Sequence, residues 1–298
     1  MSGRFPSDVI VLDTDGLLHA RLASGRQAPQ ITRARAYRLP DGTFTPGVVT
    51  PDLANESALA DVLRRVRVES GQWSRVSVLL PDSWFRINLV EMPSLPEKSQ
   101  EAMHAVRWSL KRTLPIDPET LRVAYETLGH STAGVKLLVV SAVDKTLAAI
   151  ERVFAAAGIE VVLIEPTGLN IWNAISVKET ATSNDRLFVY VRDHDFTTAV
   201  FRGSQPLFIR SRNFSGERTL QQELRLSASY LRDTLQAVSV ERCYIAGNGV
   251  GPEVHAALTS EFNAPVSAIS LTDFVEQIPL DAPQMHAELT ACTGVFAS

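Results

Sequence analysis

Two carboxylates that could take part in catalysis stand near the start of the chain, in the segment VIVLDTDGLLH. Asp13 and Asp15 follow an apolar run that is typical of a buried strand, so both are expected at a strand end. Carboxylates at this spacing can bind Mg²⁺, or can serve as a nucleophile and a general acid or base. An Asp-x-Asp-Gly segment that joins two strands is more often a hairpin turn, and the apolar residues 17–22 follow Gly16 directly.

The other side chains that bind metals or act as nucleophiles are scattered along the chain. The six histidines show neither the i, i+4 pairing nor the clustering with cysteine that metal sites need. The two cysteines, Cys243 and Cys292, each stand among apolar residues, which favours buried thiols in a reducing compartment over a disulfide. We therefore expect no metal site and no catalytic residue of the Ser/His/Asp type.

The composition is that of an ordinary soluble globular protein. Of the 298 residues, 45% are hydrophobic and 21% are charged, and the formal net charge of −4 gives no reason to expect a nucleic-acid partner. The sequence shows no signal-peptide pattern and no apolar run of the roughly 18–20 residues that span a bilayer. We expect a cytoplasmic protein that reaches the membrane only through a partner.

Hydrophobic periodicity predicts the elements that position Asp13 and Asp15. Three short strands are predicted first, at residues 9–13, 17–22 and 31–39. An amphipathic helix follows, and its apolar face comprises Leu59, Leu63 and Val66. Residues 76–80 then return as a buried strand, which completes the order βββαβ.

The last third of the chain repeats this order. Three strands are predicted, at residues 187–191, 196–201 and 206–212. A long helix and a strand at 242–246 follow, and after Gly247, Asn248 and Gly249 come a helix, a short strand and a tail without a predicted element. We interpret the repeated order as an internal duplication whose two halves face each other across a cleft.

The middle of the chain is predicted to be an inserted α/β domain at residues 82–165. It separates a first half at 1–81, completed by a helix at 166–178, from a second half at 186–298, and the polar segment KETATSND marks the boundary. Trp84 and Phe85 stand at the junction of the first half and the insertion. They are interpreted either as core residues or as aromatic anchors of a peptide groove.

A duplicated βββαβα unit with a glycine-bearing turn is the pattern of the actin-like, ribonuclease H-like α/β fold. The stretch LLPDSWFRINLVEMPSLP, then a helix with Trp108, then TLPIDPETLRVAYETL, resembles the PilM family of type IV pilus assembly proteins. Later segments match the same family pattern in order, namely KLLVVSAVDKTLAAIERVFAAAGIEVVLIEPTGLNIWNAI and PLFIRSRNF. The resemblance implies an FtsA-like version of the actin fold, with a small 1C-like domain inserted in the first half.

The resemblance also implies a nucleotide cleft in which backbone N–H groups of two turns hold the phosphates of ATP, with Mg²⁺. It assigns to this cleft the residues Asp13, Asp15, Gly16, Arg192, Gly247, Asn248 and Gly249. Asp15 stands where the family has glycine, and the second turn carries Arg192 and no glycine. Arg192 is interpreted either as a phosphate partner or as an arginine paired locally beside Asp193 and Asp195. The chain between residues 214 and 219 is also too short for the family's 2B-type subdomain, so we expect ATP binding to be weak or lost and no cofactor to be required.

Family resemblance implies a cytoplasmic scaffold of type IV pilus or related type II secretion assembly. Its partner would be the N-terminal cytoplasmic tail of a PilN-like bitopic inner-membrane protein, and self-association is compatible with the family. An alternative comes from VIVLDTDGLLH, which resembles the strand end of the haloacid dehalogenase superfamily. That resemblance predicts a Mg²⁺-dependent phosphatase that uses Asp13 and Asp15.

Overall fold

The computed structural model describes residues 5–47, 49–114, 116–178, 184–192, 195–203, 205–213, 219–234, 239–248 and 250–296. The fold is built on two five-stranded sheets, with a three-stranded sheet and a short two-stranded hairpin beside them. Within the described ranges, no helix is both long enough and apolar enough to cross a membrane.

The first half begins with a meander of three antiparallel strands. These are β1 (Asp8–Leu12), β2 (Gly16–Ala23) and β3 (Gln30–Arg38). A small hairpin of β4 (Phe44–Thr45) and β5 (Asp52–Leu53) leads to helix α1 (Glu56–Ser70) and strand β6 (Arg75–Leu80). Strand β6 pairs in parallel with β1, so the carboxyl ends of the two strands lie at the same edge of the sheet.

The insertion begins at a short 3₁₀ turn, Asp82–Trp84, that follows β6. Its elements are β7 (Phe85–Met92), α2 (Ser99–Lys111), β8 (Leu121–Ser131) and β9 (Gly134–Val143). The three strands form an antiparallel sheet in the order β7-β9-β8. Val106 and Leu110 of α2 pack on one face of this sheet and form a core that belongs to the insertion alone.

The chain then returns to the first half earlier than the sequence-based division placed it. Helix α3 (Asp144–Ala156) packs against α1, and strand β10 (Glu160–Pro166) pairs in parallel with β6 at the edge of the first sheet. Residues 144–165 were assigned to the insertion because they follow it directly in sequence. The hydrogen bonds instead make them part of the first sheet and its covering layer, and the insertion interrupts the crossover from β6 to α3.

The second half repeats the first. After helix α4 (Thr167–Lys178), it contains the strands β11 (Asp185–Val191), β12 (Asp195–Arg202) and β13 (Gln205–Asn213) and the helix α5 (Leu220–Thr234). It continues with β14 (Val240–Gly247), α6 (Pro252–Phe262), β15 (Val266–Ala268) and α7 (His286–Gly294). The sheet order β13-β12-β11-β14-β15 matches the order β3-β2-β1-β6-β10 strand by strand, which confirms the predicted duplication. Residues 179–183, in the predicted boundary, lie outside the described residues.

Helices α4 and α7, the last helix of each half, lie between the two sheets. Trp172 of α4 stacks on Phe201 of the second sheet at 3.8 Å between ring centroids, and Leu289 of α7 belongs to the same hydrophobic cluster as Val11 and Leu18 of the first sheet. Helix α7 falls in the tail where no element was predicted. The two halves therefore share one core.

Candidate functional site

The cleft between the halves opens where β1 and β11 end. A cavity of about 480 Å³ lies there, and among the residues that line it are Asp13, Asp15, Gly16, Arg192 and Asn248. The structure thus brings together five of the seven residues that the family resemblance assigned to nucleotide binding. Gly247 lies beside them with φ of +108°, where a Cβ atom would come within 1.8 Å of the Val191 carbonyl oxygen. The seventh, Gly249, lies outside the described residues.

Arg192 crosses the cleft and forms an ion pair with Asp13 of the opposite half. The Arg192 side chain is 18% exposed and the Asp13 side chain 32% exposed, so solvent screens this pair less than a surface pair. The other Asp13 oxygen, Oδ1, accepts a hydrogen bond of 2.7 Å from the Thr14 N–H. The pair joins Arg192 to a residue of the first half; of the two aspartates beside which a local pairing was predicted, Asp195 accepts a hydrogen bond from Ser83, and Asp193 lies outside the described residues.

Two further contacts join the same regions of the halves. The Ser83 hydroxyl donates to Asp195 Oδ2 at 2.7 Å, and the Thr197 hydroxyl donates to Asp82 Oδ2 at 2.6 Å. Asp82 Oδ1 accepts from the Gly168 N–H at the start of α4, at 2.7 Å. Burial raises the pKa of Asp82 to about 7, and the nearby Asp195 carboxylate acts in the same direction.

The lining of this cleft does not match a phosphate cradle. Three carboxylates line it, those of Asp13, Asp15 and Glu288, and Asp13 is already paired with Arg192. Phosphate-binding turns present backbone N–H groups to the anion and keep carboxylates away from it. The described residues therefore add no support for the binding of ATP phosphates at these turns, and no chemical step is derived through ATP.

The Asp-x-Asp-Gly segment forms a turn between antiparallel strands. Asp13 N–H donates to the Gly16 carbonyl at 2.8 Å, and β2 runs back along β1 immediately afterwards. Among the described residues, no group of three or more His, Cys, Asp or Glu side chains is close enough to hold a metal ion. The geometry is that of a hairpin turn, which was the ordinary structural interpretation of this motif.

A second cavity, of about 220 Å³, separates the insertion from the first half. It lies between the face of the insertion sheet that α2 leaves uncovered, with Phe85 and Val140, and the edge strand β10. Arg122 stands at its rim and donates two hydrogen bonds to Glu151 of α3, at 2.5 and 2.9 Å. We call this cavity the insertion groove.

The two aromatic residues at the junction differ in their surroundings. Trp84 is 4% exposed and packs against Phe44 with 5.4 Å between ring centroids, so it belongs to the core of the first half. Phe85 is equally buried, yet its side chain contributes to the wall of the insertion groove. Core packing thus describes both residues, and Phe85 alone of the two reaches the groove.

Sequence reasoning missed the contribution of α7 and β10 to these sites. Met285 and Glu288, at the start of α7, line the cleft, and residues 161–164 of β10 line the insertion groove. Helix α7 is buried from Ala287 to its last residue, Gly294, so it lacks the amphipathic period that reveals a surface helix. The run VVLI of β10 was visible as a strand, but its position at a sheet edge depends on long-range pairing.

Comparison with known proteins gives matches at the level of structure only. No protein-family model and no curated protein matches the sequence. A chain of the PilM-PilN type IV pilus biogenesis complex is similar with a TM-score of 0.79 and 19% identity, over 98% of both chains. A protein of Bacteroides thetaiotaomicron with an actin-like ATPase fold and unknown function has a TM-score of 0.59 and 13% identity, over 96% of this chain and 94% of that one.

The cytoplasmic domain of EpsL, an inner-membrane component of the type II secretion system of Vibrio cholerae, is similar with a TM-score of 0.56. Its identity to this sequence is 13%, over 98% of this chain and 94% of that one. At such identities the likeness concerns the fold. The chain therefore has the actin-like ATPase fold, in a version similar over nearly its whole length to a chain of the PilM-PilN complex.

Proposed function

We propose that this protein is a cytoplasmic actin-like scaffold of type IV pilus or related type II secretion assembly. It binds the N-terminal cytoplasmic tail of a PilN-like bitopic inner-membrane protein and is peripheral to the membrane through that partner. ATP binding is weak or absent. The observation that carries the proposal is the insertion groove, where an apolar sheet edge faces the side of the insertion sheet that is turned away from α2.

Strand β10 lies at the edge of the first sheet, where a further strand can pair with it. Among the strands that the structure describes, it pairs with β6 alone, and its residues 161–165 are half-buried. An apolar edge strand with free backbone groups promotes aggregation unless something covers it. An extended peptide that adds to this edge would satisfy the backbone groups and bury Val161 and Leu163.

The insertion supplies the opposite wall of the groove. Because side chains alternate along a strand, Phe85, Val140 and Ala142 lie on the face away from α2. This apolar wall and the β10 edge leave room for a narrow, extended segment with apolar side chains. The Arg122–Glu151 pair at the rim offers polar contacts to the same segment.

The comparison with solved structures supports the same proposal independently of the groove. The similar chain comes from a complex named for PilM and PilN, and the EpsL domain belongs to an inner-membrane component of a secretion system. The phosphatase alternative has no comparable support, because Asp13 is engaged by Arg192 and the carboxylate turn is a tight hairpin.

Filling the groove tests the proposal. Ala124 is an exposed residue of β8 that lines the groove, so Ala124→Trp should block a bound segment without disturbing the core. The measurement is fluorescence polarisation with a labelled peptide that covers the cytoplasmic N-terminal tail of a PilN-like bitopic protein from the same organism. We expect binding to weaken by at least about tenfold, since an anchor that loses its pocket costs on the order of 1–2 kcal/mol or more.

Ala133→Trp is the matched control. Ala133 is exposed in the β8–β9 turn of the same insertion and lies outside the groove, so this variant adds the same bulk to the same sheet and should bind like the parent. Equal binding by the Ala124→Trp variant and the parent would contradict the proposal, as would failure of the parent to bind any such tail.

A further inference from the structure

Among the described residues, three polar contacts join one hairpin of the second half, formed by β11 and β12, to the β1–β2 turn of the first half and to the 3₁₀ turn that begins the insertion. All three contacts lie within a short stretch of the hairpin, close to its turn. They are the ion pair of Arg192 with Asp13, the hydrogen bond from Ser83 Oγ to Asp195 Oδ2 at 2.7 Å, and that from Thr197 Oγ1 to Asp82 Oδ2 at 2.6 Å.

The residues that this hairpin contacts lie at the edge of the sheet where α/β proteins normally bind a ligand. Asp13 directly follows β1, and Asp82 and Ser83 follow β6 by two and three residues. These two strands are parallel, so their carboxyl ends form the edge outside which such sheets bind ligands. The protein's own hairpin therefore makes the contacts that a bound molecule would make.

The three contacts differ in burial, and together they restrain the hairpin. The Thr197–Asp82 contact is buried, the Ser83–Asp195 contact is partly buried, and the Arg192 side chain is 18% exposed. Removing one partner of a poorly solvated pair leaves the other without compensation for its lost hydration. Each contact thus favours the relative orientation of the halves in which all three can form.

We propose that Arg192 is an internal ligand of the β1–β2 turn, whose ion pair with Asp13 holds the two halves in one orientation without a nucleotide. In this arrangement the guanidinium bridges the cleft from the second half to the turn of the first. The neighbouring Ser83–Asp195 contact holds the start of β12 next to it. The inference goes beyond tail binding and does not depend on the insertion groove.

Distance measurements between the halves test this inference. Cysteines introduced at Val68, 84% exposed on α1, and at Leu226, 43% exposed on α5, can carry spin labels. The native Cys243 and Cys292 are buried, so they should stay unlabelled. By pulsed electron paramagnetic resonance, the doubly labelled protein should give one narrow distribution of distances between the labels. Addition of ATP with Mg²⁺ should leave this distribution unchanged.

Variants of the ion pair should lose that narrow distribution. Arg192→Gln and Asp13→Asn each remove one charge, and both are expected to broaden the distances, whereas Arg192→Lys keeps the charge and should broaden them less. Arg225→Gln is the matched control, because it breaks an Arg–carboxylate pair with Glu261 inside the second half. It should leave the distribution narrow.

Three results would overturn the inference. The first is a distribution in Arg192→Gln as narrow as in the parent. The second is equal broadening in the Arg192→Lys and Arg192→Gln variants, which would assign the effect to packing. The third is a narrowing of the parent's distance distribution when ATP is added. If Arg192→Gln does not fold by circular dichroism, Asp13→Asn removes the same pair and is judged against the same narrow parent distribution.

Discussion

Asp82 is the residue at which the first half, the insertion and the second half meet. Its carboxyl group is fully buried and is reached by the Gly168 N–H of α4 and the Thr197 hydroxyl of β12. The Thr197 hydroxyl also contacts Ser211 Oγ at 2.8 Å, so this short chain of hydroxyl groups can orient to suit either protonation state of Asp82. A buried carboxyl group at such a junction makes the stability of the folded protein sensitive to pH.

Protein stability should fall as the pH rises from about 4 to about 7. Burial raises the pKa of Asp82 from 3.8 to about 7, so over this range the folded state holds a proton that the unfolded state has released. Each tenfold difference in proton affinity between the two states is worth about 1.4 kcal/mol, so the loss of stability is on the order of 4 kcal/mol and is complete above about pH 7. Urea unfolding at a series of pH values measures the slope.

Asp82→Asn separates this contribution from the rest of the protein. Asparagine has nearly the same shape, its oxygen can still accept from the Gly168 N–H, and it does not ionise in this range. The stability of the variant should depend less on pH between 4 and 7 than the stability of the parent. The difference in stability, variant minus parent, should therefore favour the variant more at pH 8 than at pH 5. Identical slopes in the two proteins would show that Asp82 is not the group responsible.

At the residue scale, sequence reasoning reached the members of the cleft but not their pairing. Asp13, Arg192 and Asn248 could be placed at strand ends because the apolar runs before them are clear. The ion pair between Arg192 and Asp13 joins residues far apart in the chain. It depends on how the halves are oriented, which no local pattern encodes.

Helices α4 and α7 cross closely in the shared core. A Cβ atom added at Gly294 would lie 1.8 Å from the backbone oxygen of Asn170, so the helices touch through their backbones at this point. Gly294→Ala should push them apart and cost about 1–3 kcal/mol, as overpacking of a core does. Denaturant unfolding followed by tryptophan fluorescence measures the loss, since Trp172 lies on α4.

Gly251→Ala makes the same substitution where space is available. No atom lies within 4 Å of an added Cβ at Gly251, and its φ of −85° suits alanine. Because Gly251 is the N-cap of α6, where alanine is less favourable than glycine, we expect this variant to lose no more than about 1 kcal/mol of stability. A Gly294→Ala protein as stable as the Gly251→Ala protein would mean that α4 and α7 can separate without loss, contrary to the close crossing.

At the element scale, the errors of sequence reasoning have a common cause. Helix α7 shows no polar face, because it is enclosed by α4 and both sheets. Residues 144–165 form a helix and a strand as predicted, but their assignment to a domain depends on pairing with β6 and packing on α1. Local periodicity determines what an element is, and tertiary contacts determine to which sheet it belongs.

For the whole molecule, the repeated order of elements was sufficient to predict two facing halves, and the matched sheet orders confirm it. The shared cluster around Trp172 shows that neither half has a complete core without the other. The insertion differs, since Val106, Leu110 and Leu137 form a separate cluster under α2. This division of the core implies that the halves unfold together and that the insertion is separable.

Excising the insertion should leave the two halves folded. Phe85 and Ala142 are paired neighbours at the base of the insertion, where β7 leaves the first half and β9 returns to it. Because paired strands lie only about 5 Å apart, a two-glycine turn can replace residues 86–141. We expect this variant to melt in one cooperative transition by circular dichroism and to lose tail binding, since its groove lacks the Val140 wall. A variant that fails to fold would show that the halves need the insertion, and retained tail binding would place the partner elsewhere.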